Sequence, residues 1–244
     1  TTRVRIRAVN TGARVEAMVQ TQNRHVQYGG TAQIDGVPGT AAPVALQFMD
    51  TIGGATGAFL PTGAAQDVFD GIAVTCMDVA MPMVIARAED LGLTGYESVA
   101  ELNANTAFFA RMEGVRVAAG HTMGMGDVSQ SVTPKFGLLA PARAGGTIAA
   151  RYFMPWKTHP TMAVTGAQCI ASCLLTPGTV AAGLCDAPNA GPATISLEHP
   201  TGTIDVIVDF VRDGAAITIR SAGLVRTARL LARGEVMVPP MAKA

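Results

Sequence analysis

Apolar and charged residues alternate from the first positions: Arg3, Arg5 and Arg7 interleave with Val4 and Ile6. A period of two predicts a strand. Residues 3–9 and 13–20 read as two strands joined at Asn10-Thr11-Gly12, residues suited to a tight turn. Strand character continues over 25–37, breaks between Pro38 and Pro43, and resumes over 44–50. Residues 51–71, rich in Gly and Thr, predict a long loop with a short turn of helix. Beyond it, 72–79 reads as a strand, Met81-Pro82 as a break because proline brings no N–H to a ladder, and 83–86 as a further strand. Leu102, Phe108, Phe109, Met112 and Val115 fall on one face of a helix over 101–120, with Thr94 or Ser98 as its cap. Strands over 132–142 and 146–155 follow. A helix over 161–175 stops at Pro177-Gly178, and a shorter one is expected over 179–185. The tail predicts strands over 193–199, 203–211 and 214–220, turned at His199-Pro200-Thr201-Gly202 and Arg212-Asp213-Gly214. This order does not alternate as a doubly wound sheet does, and the class it predicts is α+β.

Composition narrows the chemistry. The 244 residues suit one large domain or two small ones. Aromatics make up only 5%, so Ala, Val, Ile, Leu and Met must fill the core. Eighteen basic residues balance eighteen acidic ones. No net field is left to hold a nucleic acid backbone or an acidic membrane face, whereas a small anion needs only local donors. Cys76, Cys169, Cys173 and Cys185 form no CxxC pair, and no secretory segment or apolar span is evident. A reduced, cytoplasmic setting is the simplest reading. The chain opens inside a strand pattern with no initiator Met, as either a natural domain start or a truncated one would.

The chemistry concentrates around 151–173. A helix starting near Thr165-Gly166 exposes unpaired backbone N–H groups, with Thr165 as a possible cap. Ala163, Gly166 and Ala167 are small enough to let an anion reach that end, where dipole and donors favour it. Lys157 and His159 stand just ahead, able to add charge or a proton. The plainer alternative is a capped core helix with a surface His. Cys169 and Cys173 share a helix face, yet their apolar neighbours favour packing over a zinc site. Met77, Met81 and Met83 read as core, Cys76 as packing, and His121 as an exposed loop residue. Asp78 and Asp127 offer no paired-carboxylate geometry. No GxGxxG, Walker, GxSxG or triad pattern is present.

The stretches VNTGARVEAMV, IDGVPGTAAPVALQF, GAFLPTG, VTCMDVAMPMVIARAEDLGLTG, SVTPKFGLLAP, HPTMAVTGAQCIASC, LTPGTVA, LEHPTGTIDV and GLVRTARLLARGEVMVP together resemble the PrpF-like isomerases. That family includes 4-oxalomesaconate tautomerases and 2-methylaconitate cis-trans isomerases, with a diaminopimelate epimerase-like fold. The resemblance implies a curled mixed β-sheet wrapped around a central helix, with one complete domain and part of a second. Residues 1–28 would be the last strands of an incomplete N-terminal domain, 29–221 the C-terminal epimerase-like domain, and 222–244 return strands to the first. Full-length relatives imply an upstream stretch holding most of the first domain, so a truncated chain is expected.

The resemblance further implies a cleft between domains and a substrate carboxylate at the front of the helix over 163–173. Thr165, Gly166 and Ala167 are the expected carboxylate binders. His159 and Lys157 are expected to orient substrate or assist proton transfer. Ser129, Ser131 and Lys135 are expected at the rim. Met81 and Pro82 stand where related epimerases place a substrate-contacting Asn-Pro loop; here the polar residue is missing. The implied reaction is keto-enol tautomerisation of 4-oxalomesaconate in gallate breakdown, with no cofactor or metal, in a possible homodimer. Alternatives are 2-methylaconitate isomerisation in the methylcitrate route and a non-catalytic tricarboxylate-binding domain.

Overall fold

A computed structural model describes residues 1–7, 9, 14–214 and 216–237. Its strands are β1 (Thr2–Arg7), β2 (Arg14–Val19), β3 (Thr21–Gln22), β4 (His25–Val26), β5 (Pro43–Met49), β6 (Asp67–Phe69) and β7 (Ile72–Val79). These are followed by β8 (Met81–Arg87), β9 (Lys135–Pro141), β10 (Ile148–Phe153), β11 (Ala193–His199), β12 (Gly202–Asp213) and β13 (Ala216–Thr227). Three α-helices are α1 (Val99–Ala104), α2 (Thr106–Thr122) and α3 (Val164–Leu175). Eleven strands form one mixed sheet in the order β1-β2-β5-β13-β12-β11-β10-β9-β8-β7-β6. The pairs β8–β9 and β10–β11 are parallel.

The central strands carry apolar residues on both faces, and each face has its own core. Tyr152, Ile170, Ile195, Leu197 and Val206 belong to a cluster around α3. Phe153, Phe136, Leu138, Met112 and Val115 belong to a second cluster under α1 and α2. Adjacent residues of β10 therefore serve opposite faces, as pleating requires. α3 is buried on every side, with each residue from Gly166 to Leu175 enclosed, the polar Gln168 and Ser172 among them, which is the signature of a helix surrounded by the rest of the fold. It packs on β7, β8 and β9 and also on β11, β12 and β13.

Several elements differ from the sequence reading for identifiable reasons. The single helix over 101–120 is two, divided at Asn105, whose side chain accepts from Phe108 N and caps α2. Ser98 caps α1 in a reciprocal box with Glu101; Thr94 caps no helix and instead binds Glu97. The break expected at Met81-Pro82 lies one residue earlier, at Ala80, with φ of 60°. Pro82 sits inside β8 opposite Asp78, just outside the ladder to β9 that begins at Met83. The 179–185 helix is a series of turns. The turn at Asn10-Thr11-Gly12 lies outside the described residues.

Candidate functional site

Strand directions bring distant segments of the sequence to one end of the sheet. β8 begins at Met81, and β9 begins beside it at Lys135, in register with Met83. β10 runs antiparallel to β9 and ends there, with Phe153 opposite Phe136. α3 rises toward the same end. Cys173 lies beside Thr75 and Cys169 beside Met77 and Val79, so the first turn of α3 reaches past the hinge at Ala80. Met81, Pro82, Lys135, His159 and the front of α3 thus share one rim.

The two ends of α3 are finished differently. At the carboxyl end, Thr176 Oγ1 donates to Ser172 O, Thr179 Oγ1 to Cys173 O, and Arg212 Nη2 to Leu175 O. At the amino end Ala163 occupies the cap position and brings no side-chain acceptor. The first intrahelical bond is Ala167 N to Ala163 O, at 2.8 Å. Among the described residues nothing accepts from the N–H groups of Val164, Thr165 and Gly166. This corrects two expectations: Thr165 lies within the first turn rather than capping it, and Ala167 has no free amide because its N–H is used by the helix. Gly166 does not open space for a ligand through its missing Cβ either. A methyl there would lie 2.7 Å from Tyr152 Cδ2 and closer still to Cε2, so the glycine accommodates the tyrosine ring.

His159 is set by the same tyrosine. Its backbone N–H donates to Tyr152 O at 2.8 Å, and the two rings meet edge to face at 5.8 Å. Thr161 N donates to Nδ1 at 3.0 Å. A backbone amide is only a donor, so Nδ1 is the acceptor and the proton sits on Nε2. Burial, and then the nearby positive charge of Lys135, lower the imidazole from its ordinary value. His159 is therefore neutral at pH 7, with one N–H to offer. Lys135 is itself lowered by burial and then by the Arg116 charge. Tyr152 is raised well above its ordinary range by burial and remains a phenol.

The lowered imidazole gives a pH prediction. Just below its ordinary value near 6.5, an unfolded chain would hold more protons at His159 than the folded one. The stabilisation is therefore full above that value and lost as pH falls through the depressed folded value. His199, also lowered by burial, acts in the same direction. Melting temperature is expected to fall more steeply between pH 7.5 and 5 in the native chain than in His159→Gln. Equal slopes would remove His159 from the linkage.

The other expected residues are dispersed. Lys157 is exposed and lines a hollow of about 510 Å³ with Asn103, Thr106, Phe109 and Trp156. That is the α1–α2 side, so the structure does not gather Lys157 with His159 at the front of α3. Ser129 N donates to Asp127 Oδ1, and Ser131 Oγ caps Thr133 N; both serve the turn leading into Lys135. Met81 is partly buried against the α3 cluster and Pro82 is fully packed. Cys169 and Cys173 are buried thiols; burial pushes Cys173 up to about 12. Among the described residues no group of three or more His, Cys, Asp or Glu is placed to hold a metal ion. Among the described residues no helix is long and apolar enough to cross a membrane.

Three supporting residues have no motif of their own. Tyr152 looked like one more apolar strand position. Asp78 is 1% exposed, and its Oδ2 accepts from Ala55 N, Thr56 N and Thr56 Oγ1 at 2.8 to 2.9 Å, tying the loop over 51–60 to the hinge. Arg116 is fully buried on α2, forked onto Glu113 at 2.7 Å and donating to Val128 O and Pro134 O. It holds both ends of the turn that precedes Lys135. The Ser98 cap was among the expected ones, the Asn105 cap was not, and these long-range bonds have no local signal.

The described strands thus enclose one buried helix whose amino end lies uncapped at their rim. Residues 1–239 match the family model described as PrpF protein, and the chain belongs to the PrpF family. It is 50% identical over 238 residues to YbhH of Escherichia coli (strain K12), which carries an isomerase name without a stated substrate. It is 44% identical over 237 residues to the (4E)-oxalomesaconate Delta-isomerase of Novosphingobium sp. (strain KA1). These alignments cover 98% and 97% of this chain but 67% and 66% of the relatives. The crystal structure of a methylitaconate-delta-isomerase superposes with a TM-score of 0.85 at 29% identity, over 96% of this chain and 65% of that one. The chain thus spans about two thirds of the length of these proteins.

Proposed function

We propose that this chain forms one side of the active site of an isomerase that shifts a proton along an unsaturated polycarboxylate. The observation that carries this is the pairing of an uncapped α3 front with the neutral His159. The N–H groups of Val164, Thr165 and Gly166 receive a substrate carboxylate, favoured there by the helix dipole. His159 Nε2–H donates to an oxygen on which charge grows as the C–H proton leaves, which lowers the barrier. Lys135 adds positive charge at the same rim. With Nδ1 engaged by Thr161, His159 orients and stabilises rather than acting as the base. The wrapping of the sheet about α3 supports a curled, epimerase-like domain, since one helix touches strands on both flanks of β10. The expected handover between domains near residues 221–222 falls inside β13, which pairs with β12 over 216–224 and, from Ala222 onward, with β5, itself within 29–221.

Among unsaturated acids, the greater likeness to the 4-oxalomesaconate enzyme than to the methylitaconate enzyme supports 4-oxalomesaconate tautomerisation, and with it a place in gallate breakdown in the cytoplasm, with no cofactor required. The intact gene product tests this by ultraviolet absorbance with 4-oxalomesaconate and 2-methylaconitate offered side by side. Turnover of the first, with His159→Ala lowering kcat/KM at least about tenfold, about 1.4 kcal/mol, is the expected result. Preference for 2-methylaconitate would move the assignment to the methylcitrate route. Tight tricarboxylate binding with neither substrate turned over would make this a binding domain. An unchanged His159→Ala variant would remove that residue from the mechanism.

A further inference from the structure

Arg151 points away from α3. It neighbours Tyr152 in β10 and so faces the opposite side of the sheet, where it lines a hollow of about 350 Å³ with Tyr96, Ala144, Ala149, Glu198, His199 and others. The side chain is only 6% exposed. Its Nε donates to Glu97 O and its Nη1 to Ala150 O, both at 3.0 Å. A guanidinium has five N–H donors, and Nη2 has no acceptor among the described residues. No carboxylate there forms an ion pair with it, although two stand close by. Glu198 is turned onto the backbone N–H groups of Arg143, Ala144 and Gly146, at 2.6 to 2.9 Å. Glu97 is turned onto Thr94 and Gly95. Nη2 is not among the fully buried atoms that lack a partner, so its donors open onto the hollow, beside carboxylates already satisfied, and can take an acceptor from outside the protein.

We propose that this hollow binds a small monocarboxylate, gripped by the Arg151 guanidinium, at a site separate from the α3 rim. The remaining lining sets the ligand's character. Tyr96, held in place by Arg143 stacked 3.3 Å over its ring, forms an apolar wall with Ala144 and Ala149 suited to a short hydrocarbon chain. Asp35, whose Oδ2 is taken by Thr203 N and Oγ1, and Glu198 leave negative charge around the cavity. A second charge on the ligand would meet that charge, so citrate and phosphate are disfavoured. The volume is at the small end of ordinary ligand pockets, enough for an acid of propionate to benzoate size.

The test is titration of the complete protein with propionate, followed through amide shifts in nuclear magnetic resonance, with citrate and phosphate as competitors. Saturable shifts at Gly146 and Thr203, and at least a tenfold weakening in Arg151→Lys, are expected. Ala144→Phe fills the exposed mouth while leaving Arg151 in place, and so reads the hollow even where the Arg151 variant loses its fold. It should abolish propionate binding with melting temperature unchanged. The proposal is overturned by no saturable binding, by full binding in Ala144→Phe, by shifts confined to Thr165 and His159, or by citrate and phosphate competing as well as propionate itself.

Discussion

Gly166→Ala is expected to cut turnover by about a hundredfold in the complete protein and to destabilise it by about 2 kcal/mol. Helix propensity alone argues the reverse, since Ala is favoured over Gly inside a helix by about 1 kcal/mol. Space decides the sign. The new methyl would come within 2.7 Å or less of two atoms of the Tyr152 ring, which is 2% exposed and held between β10 and α3. The ring must move, and its strand carries the carbonyl and the edge-to-face contact that set His159. A shift of about 1 Å in an orienting donor is enough for that loss of rate. Tyr152→Leu paired with Gly166→Ala should recover part of the stability, because the clash belongs to the pair. A single Gly166→Ala variant with native melting temperature and native kcat/KM would show that the ring yields freely and that the glycine has no such role.

How much of this was legible in the sequence follows from the range of each interaction. β7, β9, β10 and β11 were readable because a buried strand is a short apolar run with clear boundaries. So was α3, since Pro177-Gly178 ends a stretch free of charge. Its front was misread because Thr165 looks like a cap by type, while capping depends on which residue leaves helical dihedrals first, here Ala163 at ψ 140°. Pro82 was read as a break because the rule concerns the N–H it lacks; at a strand end beside a hinge that N–H is not needed. Lys157 and His159 were placed together because both stand just ahead of α3, but Met154 N bonds back to Lys157 O and the chain bends over 155–157. Joining Met81, Lys135 and His159 at one rim required the parallel pairing of β8 with β9, which no local pattern encodes.

The Arg116 clamp illustrates the same limit and carries the largest stability effect. Arg116→Met is expected to cost about 3 kcal/mol, a fall of about 6 to 12 °C in melting temperature for a chain of this size. Methionine fills much of the volume, so the loss is mainly one of hydrogen bonds. The carbonyls of Val128 and Pro134 lose their donors at 2.9 and 3.2 Å, and Glu113 loses a two-pronged partner. Glu113 keeps 25% of its side chain exposed and regains some hydration, which holds the cost below that of stranding a fully buried charge. Arg116→Lys should fall between, since it retains the charge and loses the fork. The damage should be local in a way that hydrogen exchange can read: amides of 128–135 should lose protection far more than those of α3. Because that turn delivers Lys135 to the rim, ligand binding at the front of α3 should weaken in Arg116→Met even at temperatures where the fold is intact. Uniform loss of protection across both cores, with rim binding unchanged, would make Arg116 a general stabiliser with no part in placing Lys135.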